Sequence, residues 1–473
     1  MPRPSAVATA FIVILLTACT FQPAALTPPP VSPLSPATTA APQGGVQSET
    51  EPGEEEAEPS ATEEIAPPSE QDTDSLWEAR VPQSGDLLLW YALPPQTPVD
   101  LAFNRLVDDF NAQNAYGLTV YAFNLSTPQE VLSRTLPLLG TPDVPALISL
   151  APEQQSAYED ALLPLDDLLR SSTWGIPFEE RTTWTDVFFQ AGSVMPEEES
   201  GLFALPVGTD AYGLTLNMDW IARLGSYESP SDPEAFAALT CKAASRPYKI
   251  AGEASGYAFV PSLESLRAWT QVFGGNLYDA DIGAYRFDQP ATRQALSFLQ
   301  DLYAQGCITL AENETAAQDA FREGETLLIL NPVSTLHPAN RWHQELSFNW
   351  QVDTLPGGTL VLAPGLRLAI PHSTPERELA AWLFLRYALG TPAQTQFAAE
   401  SAWFPLQAQA AAQSGLPPRY GRLYKAALLS PSYGAVSLPP AAKTRLASTL
   451  SDVLRGASVS ASLQSLQQAI GEP

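Results

Sequence analysis

Beyond about residue 84, the apolar positions of this chain gather into short unbroken runs, separated by stripes at helical spacing. Residues 86–91, 118–123 and 144–150 are runs of the length expected for buried strands, and Pro145 falls near the start of the third, where a missing amide is tolerated. Between the first two, Val99, Phe103, Leu106, Val107 and Phe110 repeat with the period of a helix. A second helix is predicted from about 128 to 139. Strand–helix–strand–helix–strand predicts parallel pairing with crossover helices, and such sheets bind ligands at the carboxyl ends of their strands. Trp90, Tyr91 and Ser149 lie near those ends.

Further along, two extended runs, 201–207 and 211–217, meet at Gly208-Thr209-Asp210. Leu263, Leu266, Trp269, Thr270 and Phe273 form a helical stripe that stops at Gly274-Gly275-Asn276, a C-terminal stop signal. Ala295, Leu299, Leu302 and Tyr303 form another, ended by Gly306. Residues 326–330 read as a buried strand closing at Asn331-Pro332, and Leu379, Trp382, Leu383 and Tyr387 share a helix face that ends at Gly390.

The N-terminus has a different pattern. After Arg3, an apolar run over about 6–16 is too short to span a membrane and fits the core of a signal peptide. It ends in Leu16-Thr17-Ala18-Cys19, which resembles a bacterial lipobox. That resemblance implies cleavage before Cys19, diacylglycerol on its sulfur, and a lipid-anchored, extracytoplasmic protein. From Thr20 to about Pro82 the chain is rich in Pro and Thr, then in Glu, with no Lys or Arg before Arg80. Such a segment buries too little apolar area to offset its chain entropy, so a disordered, stretched stalk is expected, about 190 Å long if fully extended at ~3.1 Å per residue. Of 52 acidic side chains only twelve lie there, so the remainder is acidic too, with 24 basic residues in the whole chain. A net charge of −28 argues against a nucleic-acid partner, which needs clustered cations. No stretch reaches the roughly 18–20 apolar residues of a spanning helix, so the lipid anchor is the only membrane contact expected.

In order and spacing, these runs resemble the extracellular solute-binding proteins of ABC importers, carbohydrate-type cluster, over about 84–473. The pieces that carry it are LLLWYA, LVDDFNAQN with LTVYAF, TPDVPALISL, LLPLDDLL, GLFALPVGTDAYGLTLNMDWIARLG, FGGNLYD, YRFDQPATRQALSFLQDLYAQG, AFREGETLLIL, and AAWLFLRYALG leading to SAWFPLQ. The resemblance implies an α/β, two-lobed, periplasmic-binding-protein-like fold (type II) with a ligand cleft between the lobes. Behind a signal peptide at 1–18 and a stalk at 19–83, lobe one maps to 84–209 and 331–366. Lobe two maps to 210–330 and 367–473. Crossings are expected at 208–213 and at Asn331-Pro332, with hinge closure around the ligand. The family implies no enzymatic activity, no cofactor, a small-molecule solute such as a sugar, and ABC permease subunits with their ATPase as partners. A monomer is expected.

Sugar sites combine aromatic faces with carboxylates and amides. Trp90, at the end of the first strand, is a candidate, with a core tryptophan as the alternative. Asp210 stands where the family carries a ligand-facing carboxylate at the hinge, with a turn-capping aspartate as the alternative. Tyr212 and Glu264 are further candidates. Trp403 precedes Phe404-Pro405 in a loop where the family often offers an aromatic or a glycine to the cleft. Arg367 could meet a carboxylate on the ligand or one on a lobe. The chain departs from its maltose-type relatives in lacking an aromatic after Pro332 and after Leu150, which argues against a long oligosaccharide. There is no paired-cysteine zinc spacing and no phosphate-cradling loop, and no metal site is expected among three histidines. With Cys19 lipidated and the chain exported, Cys241 and Cys307 remain as an even pair in lobe two, and a disulfide between them is expected. A ligand sensor or a surface lipoprotein that has lost binding remains an alternative function, and a secreted hydrolase a more distant one.

Overall fold

In the computed structural model, strand β1 (Gly85–Tyr91) lies one strand in from the edge of the first of two large sheets. The described residues are Trp77, Pro82, 85–185, 201–249, 254–279, 284–340, 345–363, 365–429 and 438–471. The signal peptide at 1–18, Cys19 and nearly all of the stalk at 19–83 lie outside them. Within the expected stalk, however, Trp77 packs against the first core and Pro82 is buried. The folded part therefore reaches further toward the N-terminus than 84, because an indole gains more from burial than an exposed linker position allows.

The first sheet has the order β2-β1-β3-β13-β4, with β2 at Leu118–Asn124, β3 at Leu147–Ser149, β4 at Ala204–Gly208 and β13 at Leu366–Ala369. β1 runs parallel to β2 and β3, and β13 runs antiparallel to β3 and β4. The strand period of two sorts β1: Leu87, Leu89 and Tyr91 face the main core of this lobe, while Trp90 packs on the other face. Helix α1 (Pro98–Gln113) begins with proline, whose missing amide costs nothing in the first turn, and buries Val99, Phe103, Leu106, Val107 and Phe110. Each such side chain contributes about 1.5–3 kcal/mol of transfer free energy.

The second sheet has the order β11-β5-β10-β6-β9, built from β5 (Ala211–Asn217), β6 (Ser255–Phe259), β9 (Ile308–Leu310), β10 (Thr326–Pro332) and β11 (Trp350–Asp353). β12 (Val361–Leu362) also pairs with β5, and β7 (Tyr278–Asp279) forms a separate hairpin with β8 (Ala284–Tyr285). Helices α2 (Pro233–Ser245) and α3 (Leu263–Val272) bring Phe236 and Trp269 edge to face, with ring centroids 4.7 Å apart. Cys241, within α2, is disulfide-bonded to Cys307 just ahead of β9, with a Cα–Cα distance of 4.2 Å.

The lobe boundaries differ from the expected ones in two places. After β10, Val333 and Leu336 do bury against the first core, but β11 and β12 then return to pair with β5. The crossing into lobe one therefore comes at 363–365 and not at Asn331-Pro332. The segment after it, expected in lobe two from 367 onward, first belongs to lobe one: β13 fills the slot between β3 and β4. Helices α4 (Pro375–Leu389), α5 (Thr391–Ser401) and α6 (Pro418–Ala427) bury Trp382, Phe384, Phe397, Tyr420 and Tyr424 in the same core. Only α7 (Pro440–Leu454) and α8 (Val459–Ile470) pack on lobe two, through Leu446, Leu450, Val453, Leu463 and Leu466. Two-residue β12 and four-residue β13 straddle the boundary, and runs that short carry no periodicity that tells one sheet from another.

Candidate functional site

At the carboxyl ends of β1 and β3 the chain forms two loops, 92–97 and 150–153, that wall one side of a cavity of about 480 Å³. The first of them is held by polar contacts that are at least partly buried. Ala92 N donates to Ser149 Oγ at 3.0 Å, and Leu93 N to Asn124 Oδ1 at 3.3 Å. Beneath them Asp100 accepts from Tyr91 Oη (2.8 Å), Gln96 N (2.8 Å) and Asn124 Nδ2 (2.9 Å), which holds the loop against the first turn of α1.

The floor of the cavity is the pair of crossings. Thr209 Oγ1 donates to Ala363 O at 2.8 Å, and Ala363 N donates to Asp210 O at 2.9 Å, so the two segments are bound side by side. Thr209 also exchanges backbone hydrogen bonds with Phe404, at 3.0 and 2.7 Å. The approach is close enough that a Cβ on Gly365 would sit 2.3 Å from Gly208 O, so glycine is required there by space.

Five of the six site residues singled out from the sequence, Asp210, Tyr212, Glu264, Arg367 and Trp403, line this cavity. Trp90 does not: it packs beside Val131, Ile148 and Tyr158 in a small cluster on the outer face of β1. Strand alternation fixes that outcome once Tyr91 and Leu89 face the core, since their neighbour must point the other way.

Asp210 is buried, and its Oδ1 accepts from Ala211 N at 2.8 Å and Ser334 N at 3.2 Å. Burial pushes its carboxyl up to about 6, against the opposing pull of those amides and the Ser334 hydroxyl. Tyr212 is held well above the ordinary phenol range, first by burial and then by the charges of Glu314, Glu264 and Asp210. Arg267, one turn along α3 from Glu264, is buried behind the lobe-two wall and donates to Leu362 O at 3.2 Å. Burial lowers its guanidinium from the usual arginine range, while Tyr285, Glu264 and Tyr212 oppose the shift. Arg367 is 2 % exposed; burial brings it down to about 9, with Glu153 holding it up. Trp403 follows Ala402, which has the left-handed φ of 59°, and is largely buried beside Phe397.

The raised Asp210 has a consequence for stability. A carboxyl whose folded value lies above its unfolded value contributes stability that is full below about 4 and lost as pH rises through about 6. Asp210→Asn keeps an acceptor for both amides and removes the buried charge. It is expected to raise ligand-free stability at pH 7.5 by up to about 3 kcal/mol, with the gain vanishing near pH 4. Urea denaturation of both proteins across that range checks this; parallel curves between pH 4 and 7 would refute it.

Residues not singled out also line the cavity: Glu153, Ser334, Asn340 and Lys443 among them. The rule that ligands sit beyond strand ends could have found Glu153, four residues past the end of β3. Nothing local marks Lys443, which arrives from the first turn of α7. Among the described residues no cluster of three or more His, Cys, Asp or Glu is placed to hold a metal, and no helix is long and apolar enough to cross a membrane. His337 and His372 engage Ala399 O and Glu378 respectively, and His343 lies outside the described residues.

A sequence profile described as bacterial extracellular solute-binding protein matches residues 105–419. Comparison with curated protein sequences finds no significant match. Among solved structures, the cyclic alpha-maltosyl-1,6-maltose binding protein of Arthrobacter globiformis is similar with a TM-score of 0.66 at 18% identity, over 82% of this chain and 98% of that one. The GacH receptor of Streptomyces glaucescens, solved unliganded and with acarbose, gives 0.63 at 15% identity, over 82% and 97%. UgpB of Mycobacterium tuberculosis, in complex with glycerophosphocholine, gives 0.63 at 19%, over 81% and 97%. At these identities the likeness is one of fold.

Proposed function

As this chain belongs to the bacterial extracellular solute-binding proteins, we propose that it captures a carbohydrate-like solute in the cleft between its lobes and delivers it to the permease of an ABC importer. It is a binding protein and not an enzyme, and it works outside the cytoplasm. The observation that carries the reading is the cavity itself. It is walled by the strand ends of lobe one and by Tyr212 and Glu264 of lobe two, and floored by the hydrogen-bonded crossings at Thr209-Asp210 and Ala363. A ligand there touches both lobes at once, so its binding energy favours the closed arrangement. Tyr212 and Trp403 supply aromatic surface, while Asp210, Glu264 and Asn340 supply acceptors and donors for hydroxyl groups. The volume falls in the usual range for small-molecule sites, roughly 300–1,000 Å³. Relatives of the same fold bind cyclic maltosyl-maltose and acarbose, which supports the carbohydrate class.

Anchoring through a lipid on Cys19, and action as a monomer, complete the proposal. A thermal-shift screen of the exported protein against mono- and disaccharides, polyols and their acidic derivatives tests it. A ligand at 100 times its Kd is expected to add about 2.7 kcal/mol. A screen with no response from any of them would sink the carbohydrate reading. For the anchor, Cys19→Ala is expected to move the protein from the membrane fraction into the soluble one, and retention in the membrane would contradict it.

A further inference from the structure

Resting on the reading of the cavity as a solute site, we propose that the solute carries an oxyanion, a carboxylate or a phosphate, which seats on Arg367 while its hydroxyl groups face the rest of the cleft. The sequence pattern of β13 sets the geometry. Leu366 and Leu368 point into the main core of lobe one. Arg367 is on the opposite face with Ala369, which packs with Ile148 and Ala204. Unlike Trp90 on that same face, Arg367 borders the cavity, at the register shift between Leu366 and Arg367 in the pairing of β13 with β4.

Arg367 is 2 % exposed, and its Nε is wholly shielded with no hydrogen-bond partner among the described residues. Its guanidinium makes no ion pair within the described residues either. Among the described residues, Glu153 is the carboxylate that favours its charge through space. A desolvated guanidinium left in this state is costly, and the cost is recovered when a complementary anion arrives. The residue borders the cavity, so a ligand that fills that space comes within reach of its side chain. A guanidinium matches the two oxygens of a carboxylate or phosphate in a bidentate, charge-assisted pair, and neutral sugar hydroxyls accept from it without the compensating charge.

The test titrates the full chain with matched probes: D-glucose, D-glucuronate and D-glucose 6-phosphate, then ribitol and ribitol 5-phosphate. Binding is read by calorimetry, and melting temperature by thermal shift. An acidic member is expected to bind at least about tenfold more tightly than its neutral parent, and Arg367→Met is expected to abolish that difference. The glucuronate and phosphate arms distinguish the two oxyanions. Because the cation is unpaired in the ligand-free protein, Arg367→Met is expected to leave the ligand-free melting temperature unchanged or higher. A fall would assign Arg367 to structure and overturn the proposal. Equal or tighter binding of the neutral parents overturns it and leaves solute capture intact. Failure of every probe, neutral and acidic, overturns both.

Discussion

Replacing Trp403 by alanine is expected to lower the stability of the ligand-free protein by about 3–5 kcal/mol, the range for truncating a buried tryptophan. Trp403 borders the cavity but is only 8 % exposed. The remainder packs in the core of lobe one, edge to face with Phe397 at a centroid distance of 6.3 Å. Phe397 in turn lies against Gly208, where a Cβ would be 2.8 Å from its ring, at the end of β4 and immediately before the first crossing. The Trp403 carbonyl also accepts from Tyr420 Oη at 2.5 Å. A hole at Trp403 therefore loosens the packing under Thr209-Asp210 as well as removing an aromatic surface from the cleft. Trp403→Phe keeps much of the volume and is expected to cost less than half as much stability. If it weakens ligand binding as severely as alanine does, the indole acts in recognition as well as in packing. Urea unfolding at equilibrium measures the first effect; a loss below about 1 kcal/mol for the alanine variant would show that the site collapses around the cavity and that the packing argument is wrong.

The distinction between a cleft residue and a core residue is where sequence reading reached its limit. The periodicity of β1 and α1 is plain, because one strand face and one helix stripe are uniformly apolar; β1 begins one residue before the expected run, and α1 extends three residues past the last position of its stripe. The junction at Gly208-Thr209-Asp210 was legible for a similar reason: two extended runs meet at residues that disfavour strand continuation. Asp210 could be placed in the cleft from that junction and from the resemblance. Its hydrogen bonds to Ala211 and Ser334 could not, since Ser334 lies 124 residues away. The end of β1 marks the cleft without marking a face, and Trp90, alternating with Leu89 and Tyr91, turns away from it. The second crossing is hidden in the sequence because β12 and β13 are too short to show a period, and because the helices after β13 are apolar on many sides. In α4, ten of fifteen residues are buried, so the sequence shows that this helix lies in a core without showing which core. Lys443 reaches the cleft only through the packing of α7 on lobe two, and no local pattern encodes that.

Loss of the disulfide is expected to cost about 4 kcal/mol, most of it through the unfolded chain. The bond closes a loop of 66 residues, and in the chain-entropy account a cross-link of that span removes conformational freedom worth about 4 kcal/mol from the denatured ensemble. The native side of the comparison adds its own term. Cys307 is 4 % exposed, Cys241 packs against the second core, and Cys307 O accepts from Gly256 N at 2.9 Å, which ties the residue ahead of β9 to β6. Gly256 itself has no room for a side chain, since a Cβ would lie 2.2 Å from Thr240 Cα, one residue before Cys241. The bond therefore joins α2 to the strand edge at a place where helix and sheet already touch. Cys241→Ser with Cys307→Ser removes the cross-link from both states. The double variant is expected to unfold at lower urea with a larger dependence on denaturant, because its unfolded chain is less compact. The wild-type protein under reducing agent should approach the same midpoint. Coincident unfolding curves for the oxidised wild type and the double variant would show that the bond contributes nothing. Two alkylatable thiols at Cys241 and Cys307 in protein exported without reductant would show that it does not form in the oxidising setting outside the cytoplasm.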